Sequence, residues 1–144
     1  MKAIQDSLGY LLNSSARMIK RKLDEQLKKY NLTTSQWAVL KLLSVEDSLS
    51  QAEIAEKLNA DRATGGVVID KLIKKGLVVK ELSMCDRRSY QVKITKNALK
   101  IVDEATQEAI DTNQLAFKGI SENDMTIFNH CLETILVNLG GRKE

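Results

Sequence analysis

Basic side chains are concentrated in the middle of this chain, and the chemistry open to them is the binding of a polyanion. Residues 59–96 carry nine Lys or Arg against four Asp or Glu, a net charge of +5. Residues 97–139 carry two against seven, and residues 1–30 carry seven against three. Because guanidinium and ammonium groups pair with phosphate oxygens, this distribution predicts one face that meets a polyanion and another that is turned away. A random scatter of surface charge is the alternative interpretation.

A pattern of two short helices joined by a tight turn carries these basic residues. Ser50 and Glu53 form an S-x-x-E capping box, which predicts the start of the first helix. Asp61 is a favourable N-cap for the second helix, and Gly76 is a favourable left-handed stop at its end. The stretch over 50–76 therefore predicts a helix-turn-helix.

The second helix has two different sides. The inner side is expected to pack on the preceding helix and consists of Gly65, Val68, Ile69, Leu72 and Ile73. The outer side is small near its start and basic toward its end, and consists of Arg62, Ala63, Gly66, Val67, Lys71 and Lys74. Small residues suit entry into a groove roughly 12 Å wide, and the cations behind them can meet phosphates. Each of the two adjacent glycines costs a helix about 1 kcal/mol relative to alanine, which close approach to another backbone would explain. The alternative is a solvated face with a weak spot.

A hairpin follows the second helix. Residues 77–79 form a short apolar strand, and Tyr90, Val92 and Ile94 alternate with polar residues as a second strand. The polar loop between them carries Asp86, Arg87 and Arg88. This loop either binds DNA or is only a solvated charged loop. An arginine that enters a DNA minor groove is attracted by its negative potential, most strongly at narrow A·T tracts. Residues 77–95 thus predict a β-wing.

These motifs, in this order, resemble the MarR family of winged-helix transcription regulators. LTTSQWAVLKLL at 32–43 is similar to the family's second-helix entry, and SQAEIAEKL followed by the segment 61–78 is similar to its helix-turn-helix. Asp86-Arg87-Arg88 followed by Ile94-Thr95 resembles its wing signature. The resemblance covers nearly the whole chain. This chain departs from it with Gly66 and Val67, where many members carry a polar or basic pair, and with Ala98, where the family usually has glycine.

The resemblance implies the fold and the roles of individual residues. The expected fold is mainly α with a small β-wing: a winged helix-turn-helix core over 33–96 in a single domain over 1–144, with dimerisation helices over 1–32 and 97–144. Arg88 would be the minor-groove residue and Asp86 its orienting partner, whereas Arg87 would meet phosphate. The choice of DNA sequence would depend on base contacts of Arg62, on contact of Val67 with a thymine methyl group, and on DNA shape. The expected DNA-binding residues are Ser35, Gln36, Ser50, Gln51, Arg62, Ala63, Thr64, Gly66, Val67, Lys71, Lys74, Asp86, Arg87 and Arg88.

Long amphipathic helices flank the winged core. Apolar residues at three- and four-residue steps predict helices over 3–30 and 34–44, the latter opened by the capping box of Thr33 and Gln36. Thr95 and Ser121 are N-cap candidates for two later helices, which end near Gly119 and Gly140-Gly141. Because these apolar stripes exceed what one small domain covers, we expect a homodimer. Its two recognition helices would face successive major grooves about 34 Å apart on a near-palindromic, A/T-flanked duplex.

Other classes of function are disfavoured. No G-x-S-x-G, H-E-x-x-H, P-loop or dinucleotide motif occurs, so we expect no enzyme, no cofactor and no metal. No apolar run reaches the roughly 18 residues of a membrane span, and there is no signal-peptide pattern, so a cytoplasmic location is expected. A winged-helix module that binds protein instead of DNA remains an alternative, which the salt dependence of binding would separate.

Two modes of regulation compete. The family resemblance implies a repressor released from its operator by a small phenolic or anionic effector, which would bind near Leu12, Trp37 and Ile110 and change the spacing of the recognition helices. The alternative is oxidation of Cys85, which is expected to be exposed beside Arg87 and Arg88. Cys131 falls on the apolar side of the last helix and is expected to be inert.

Overall fold

The computed structural model describes residues 3–85 and 88–142. The chain divides into two compact units, Met1–Asn113 and Gln114–Glu144. The helices are α1 (Leu8–Leu27), α2 (Thr34–Val45), α3 (Gln51–Lys57), α4 (Arg62–Lys74), α5 (Lys96–Ala116) and α6 (Glu122–Asn138), and the strands are β1 (Val78–Leu82) and β2 (Tyr90–Ile94). The described residues thus form a mainly helical fold with a two-stranded antiparallel wing, as the sequence predicts.

Local capping residues set most helix starts. The predicted capping boxes of Thr33 with Gln36 and of Ser50 with Glu53 are both present. The side chains of Asp61 and Ser121 cap α4 and α6 by accepting hydrogen bonds from the backbone three residues ahead. The Oγ1 of Thr95 accepts a hydrogen bond from the N–H of Ala98, 3.4 Å away, at the start of α5. These predicted N-caps are confirmed.

The predicted first helix over 3–30 is too long at both ends. Ser7 is extended, with φ −74° and ψ 140°, and its side chain caps α1 by accepting a hydrogen bond from the N–H of Tyr10. A separate 3-10 turn, Ile4–Asp6, precedes it. At the other end, α1 gives way to the 3-10 turn Lys28–Tyr30, and Asn31 has the left-handed φ of 55°. The apolar spacing did not reveal these breaks because residues on both sides of them share its period.

The wing is a single antiparallel pair whose register runs from Val78 opposite Ile94 to Leu82 opposite Tyr90. The strand β1 is longer than predicted, since pairing with β2 extends it to Leu82. Leu49 adds an isolated antiparallel bridge to Val92 on the other side of β2, with a distance of 2.7 Å from the N–H of Val92 to the carbonyl oxygen of Leu49. This bridge joins the wing to the segment that leads into α3.

The core of the first unit lies between the helices and the base of the wing. Its largest fully buried side chains are Leu27, Leu40, Leu43, Ile54, Ile69, Leu72, Val78, Val92 and Val102. The core fixes α4 and the wing relative to α2 and α3.

Among the described residues, no helix has both the length and the apolar character needed to cross a membrane.

Candidate nucleic-acid interface

The inner side of α4 packs on α3, as predicted, and also on α2. Ile69 and Leu72 are fully buried, and Gly65 is buried against Ala55 of α3. Side chains one helical turn apart lie on the same face of a helix, so burial of these positions orients the rest of α4. The opposite side of the helix is thereby turned outward.

The outer side of α4 is exposed and small at its start, with cations at its end. Arg62, Ala63, Thr64, Val67, Lys71 and Lys74 are all exposed, and the Val67 side chain is 55% exposed despite being apolar. Gly66 is half-buried, and a β-carbon there would meet nothing within 4 Å outside its own helix and its chain neighbours among the described residues. This surface combines a low profile with positive charge.

The N-terminus of α4 is held by Asp61. Its carboxylate accepts hydrogen bonds from the N–H of Thr64 at 2.7 Å and from the hydroxyl of Thr64 at 2.9 Å. These bonds, to the Thr64 backbone first and its side chain second, lower the pKa of the Asp61 carboxyl below 3.8. The Thr64 side chain therefore takes part in the N-cap of α4. Arg62 and Ala63 lie at the start of the outer side.

The wing carries Arg88 at an exposed position beyond the paired strands. A hydrogen bond of 2.9 Å from the N–H of Ser83 to the carbonyl oxygen of Ser89 continues the hairpin past β1 and β2. Lys93 and Glu81 form an ion pair of 2.8 Å across the strands. The predicted residues Asp86 and Arg87 lie outside the described residues. On the two sides of these residues, Met84 and Arg88 are both exposed.

Of the four predicted contacts at helix starts, three remain accessible and one is an internal residue. Ser35, Ser50 and Gln51 are partly exposed. Gln36 is only 4% exposed, and its backbone N–H donates to the hydroxyl of Thr33 at 3.2 Å. The prediction that Gln36 meets a phosphate is therefore wrong, because its side chain completes the capping box inside the fold.

Sequence reasoning missed the second partner of Gln36. The ammonium of Lys75 donates to Oε1 of Gln36 at 2.9 Å and also to the carbonyl oxygen of Asn31. The same end of α2 is bonded to α1, because Oδ1 of Asp24 accepts from the N–H of Thr34 at 2.7 Å. The T-x-x-Q pattern indicated the cap, but no local signal links it to a lysine 39 residues away.

Trp37 of α2 contacts α5. It is half-buried, and its Nε1 donates to Oγ1 of Thr106 at 3.4 Å. Ile110, one helical turn further along α5, is 44% exposed, and Leu12 is half-buried. A separate, mainly apolar cleft lies among α2, α3 and α4 and is lined in part by Ser35, Val39, Leu58 and Val68. The three predicted effector residues do not line this cleft.

Cysteine and acidic side chains are groups that could be oxidised or could bind a metal ion. Cys85 is exposed on the wing, and its N–H donates to Oγ of Ser83 at 3.2 Å. Cys131 is also exposed in the single chain, and the expectation that it is inert stays a prediction. Within residues 3–85 and 88–142, no group of His, Cys, Asp and Glu could hold a metal ion.

Comparison with known proteins places this geometry in a family context. The MarR family model matches residues 32–90. The chain is similar to the uncharacterized HTH-type transcriptional regulator YwoH of Bacillus subtilis (strain 168), with 29% identity over 136 residues that cover 94% of this chain and 98% of YwoH.

Two solved structures show the same fold. A mutant of MarR from E. coli, complexed with operator DNA, has a TM-score of 0.85 at 22% identity, with coverage of 94% of this chain and 99% of that one. BpsR of Bordetella bronchiseptica, solved to explain regulation of its DNA binding by 6-hydroxynicotinic acid, has a TM-score of 0.87 at 21% identity, with coverage of 94% and 96%. At these identities the likeness concerns the fold, which is the predicted winged helix.

Proposed function

We propose that this chain, whose residues 32–90 match the MarR family model, is a transcription regulator of that family and binds a near-palindromic, A/T-flanked operator as a homodimeric repressor. The outer side of α4 is the recognition surface and the wing reads the adjacent minor groove. A small phenolic or anionic effector releases the complex. The observation that carries this proposal is the exposed outer side of α4, where Ala63, Gly66 and Val67 leave a low profile between Arg62 and Lys71.

Each part of the outer side has a distinct task. The low profile lets the helix approach base edges, and the Val67 side chain can meet a thymine methyl group. Arg62, at the leading end, supplies hydrogen bonds to bases. Lys71 and Lys74 follow at one-turn spacing and neutralise phosphates, while Ser35, Ser50 and Gln51 lie near helix N-termini that favour phosphate oxygens.

The wing adds a contact that depends on DNA shape. Arg88 is exposed beyond the paired strands, and a guanidinium is attracted most strongly to the narrow minor groove of A·T tracts. In the proposal, Asp86 orients Arg88, and Arg87 meets a phosphate. Sequence preference then arises partly at base pairs that α4 does not touch.

The dimer is supported by apolar surface that the single chain leaves uncovered. In the N-terminal half of α1, Leu8 is 64% exposed and Leu11 is 49% exposed, although Leu23 and Leu27 further along the same stripe are buried. In α6, taken by itself, no residue is buried. Contiguous exposed apolar surface of this kind marks an interaction site. A second copy of the chain is the occupant we propose, and 1–32 and 97–144 are the segments that it covers.

The first experiment selects the preferred duplex from a random-sequence pool and measures its affinity by fluorescence anisotropy across a salt series. We expect steeply salt-dependent binding to a near-palindrome, because bound phosphates release counterions. Arg88→Ala should weaken binding to the A/T-flanked duplex about tenfold, which corresponds to about 1.4 kcal/mol, and should weaken binding less when the flanks are G·C.

The matched control is Arg142→Ala. Arg142 follows α6 and pairs with Glu133 at 3.7 Å, so its loss should leave DNA affinity unchanged. A folded dimer that enriches no sequence from the pool at low salt would contradict the proposal. Binding of a protein partner that is insensitive to salt would instead support the protein-binding module.

The effector part of the proposal has its own test. Trp37 is the single tryptophan of the chain, and it contacts Thr106 of α5, which lies one helical turn before Ile110. Since BpsR is regulated by 6-hydroxynicotinic acid, that aromatic acid is the probe, with nicotinate as the control that lacks the hydroxyl group. We expect it to change Trp37 emission and to release bound DNA. An unchanged DNA affinity at saturating probe would contradict this choice of effector.

A further inference from the structure

A buried amide connects the end of the recognition helix to the start of α2. Oε1 of Gln36 accepts hydrogen bonds from the N–H of Thr33 at 3.1 Å and from the ammonium of Lys75 at 2.9 Å. Gln36 is 4% exposed, so water does not compete freely for this oxygen. Lys75 is the residue at which α4 ends, and its neighbour Lys74 is exposed on the outer side.

The same ammonium also reaches the junction of α1 and α2. Lys75 donates to the carbonyl oxygen of Asn31, whose left-handed φ of 55° marks the turn between the two helices. On the other side of this turn, the carboxylate of Asp24 in α1 accepts a hydrogen bond from the N–H of Thr34. Hydrogen bonds therefore run from α1 through the start of α2 to Lys75, the C-cap residue of the recognition helix.

We propose that Lys75 and Gln36 are positioning residues, which fix the placement of α4 relative to α1 and thereby set the spacing of the two recognition helices in the dimer. This inference rests on the proposed DNA-binding function. Lys75 acts within the protein and not on a phosphate, although it belongs to a run of lysines. Its contribution is to the selection of half-site separation.

The physical basis is the direction of the bonds. Burial of Ile69 and Leu72 holds α4 against the core, but apolar burial is non-directional and permits small shifts along the interface. Hydrogen bonds weaken steeply away from linearity, and an ammonium shared between Gln36 and Asn31 defines the position of the helix end in two directions. A cation at a helix C-terminus is also favoured by the helix dipole.

The test uses the full-length protein and the duplex selected from the random pool, with variants of that duplex in which one base pair is inserted or removed at the centre. One base pair moves the half-sites apart by about 3.4 Å and rotates them by about 35°. The variants are Lys75→Met, which retains the aliphatic stem, and Lys74→Met as the matched control on the same helix. Affinities are measured across a salt series, and thermal unfolding is measured for each protein.

We expect the wild type to prefer the original duplex over the altered ones by about tenfold or more, and Lys75→Met to reduce this ratio to about threefold or less, an affinity difference of under about 1 kcal/mol. The slope of affinity against salt should not change for Lys75→Met. Lys74→Met should lower that slope by about one phosphate contact and keep the spacing ratio. A residue that only stabilised the fold would lower the melting temperature and leave the ratio unchanged.

Variants of Gln36 test the acceptor side of the hydrogen bond from Lys75. Gln36→Leu should also lower the spacing preference, and the double variant should be no worse than Lys75→Met alone, because Lys75→Met already removes the bond between the two side chains. Gln36→Glu keeps an acceptor for Lys75 and should restore the wild-type ratio. An unchanged ratio in Lys75→Met, or a salt slope lowered as in Lys74→Met, would overturn the inference. Failure of the wild type to enrich any duplex would instead refute the proposed function, and this inference with it.

Discussion

Gly65 of α4 faces Ala55 of α3, and a β-carbon at residue 65 would lie 3.5 Å from the Cβ of Ala55. That distance is ordinary van der Waals contact, so the packing of the two helices leaves room for a small side chain at residue 65. Gly66 has no such neighbour within 4 Å among the described residues outside its own helix and chain neighbours. Packing among the described residues therefore bears on Gly65 and not on Gly66, for which close approach to DNA is the explanation that we propose.

Gly66→Ala should stabilise the protein and weaken its DNA binding. Alanine is favoured over glycine in a helix interior by about 1 kcal/mol, and the added methyl group meets no internal neighbour. An extra methyl group in a closely packed contact costs about 1–3 kcal/mol, so affinity for the operator should fall. Chemical denaturation and anisotropy titration measure the two effects. Gly65→Ala is the control, since it should keep DNA affinity, and equal affinities for both variants would refute close approach at Gly66.

Acid should remove the contribution of the Asp61 cap. The hydrogen bonds from Thr64 lower the pKa of Asp61 below its unfolded value of 3.8. The stability that the carboxylate contributes is therefore present above that value and is lost as the pH falls through the lower, folded pKa. The difference in free energy of unfolding between wild type and Asp61→Asn should shrink as the pH falls below 3.8. A difference between the two proteins that stays constant through this pH range would contradict a contribution from the ionised Asp61 cap.

Lys71 should contribute to DNA binding through phosphate. It is exposed one turn before the end of α4, so Lys71→Ala should lower the slope of log affinity against log salt by about one. The loss should be similar for specific and scrambled duplexes, because phosphates carry no sequence information. Anisotropy titrations over a salt series provide the measurement, with Lys118→Ala in the second unit as the control. A loss confined to the selected duplex would assign Lys71 to base contact instead.

Leu11→Lys should dissociate the proposed dimer. Burial of a leucine contributes about 1.5–3 kcal/mol, and a dimer loses this from both copies while gaining two charges. Sedimentation equilibrium should show a monomer at concentrations where the wild type is dimeric. Asn13→Lys adds the same charge at an exposed, polar position of α1 and should remain dimeric. A monomeric wild type would refute the predicted dimerisation segments.

Peroxide distinguishes the two modes of regulation. If Cys85 senses oxidation, Cys85→Ser should bind DNA equally well before and after treatment, whereas the wild type should lose affinity. Cys131→Ser is the matched control because it removes the other cysteine of the chain, and it should respond as the wild type does. A response that persists in Cys85→Ser would exclude the wing cysteine as the sensor.

Short-range patterns account for what could be predicted of the fold. The caps formed by Thr33, Ser50 and Asp61 each join residues three apart, so the sequence contains all the atoms that decide them. Gly76 ends α4 with a φ of 73°, which also follows from residue type. The start of α1 was misplaced because Ser7 competes locally with an apolar period that continues through Ile4.

The sequence by itself determined the helices, their caps, the wing and the exposed side of α4, because hydrophobic period and capping chemistry are properties of neighbouring residues. Only the tertiary structure decided which polar side chains face inward. The bond between Gln36 and Lys75 joins residues 39 apart, and the bridge between Leu49 and Val92 joins the wing to the segment before α3. Both depend on how α2, α3 and α4 pack, so a residue type that suits phosphate binding became an internal acceptor at Gln36.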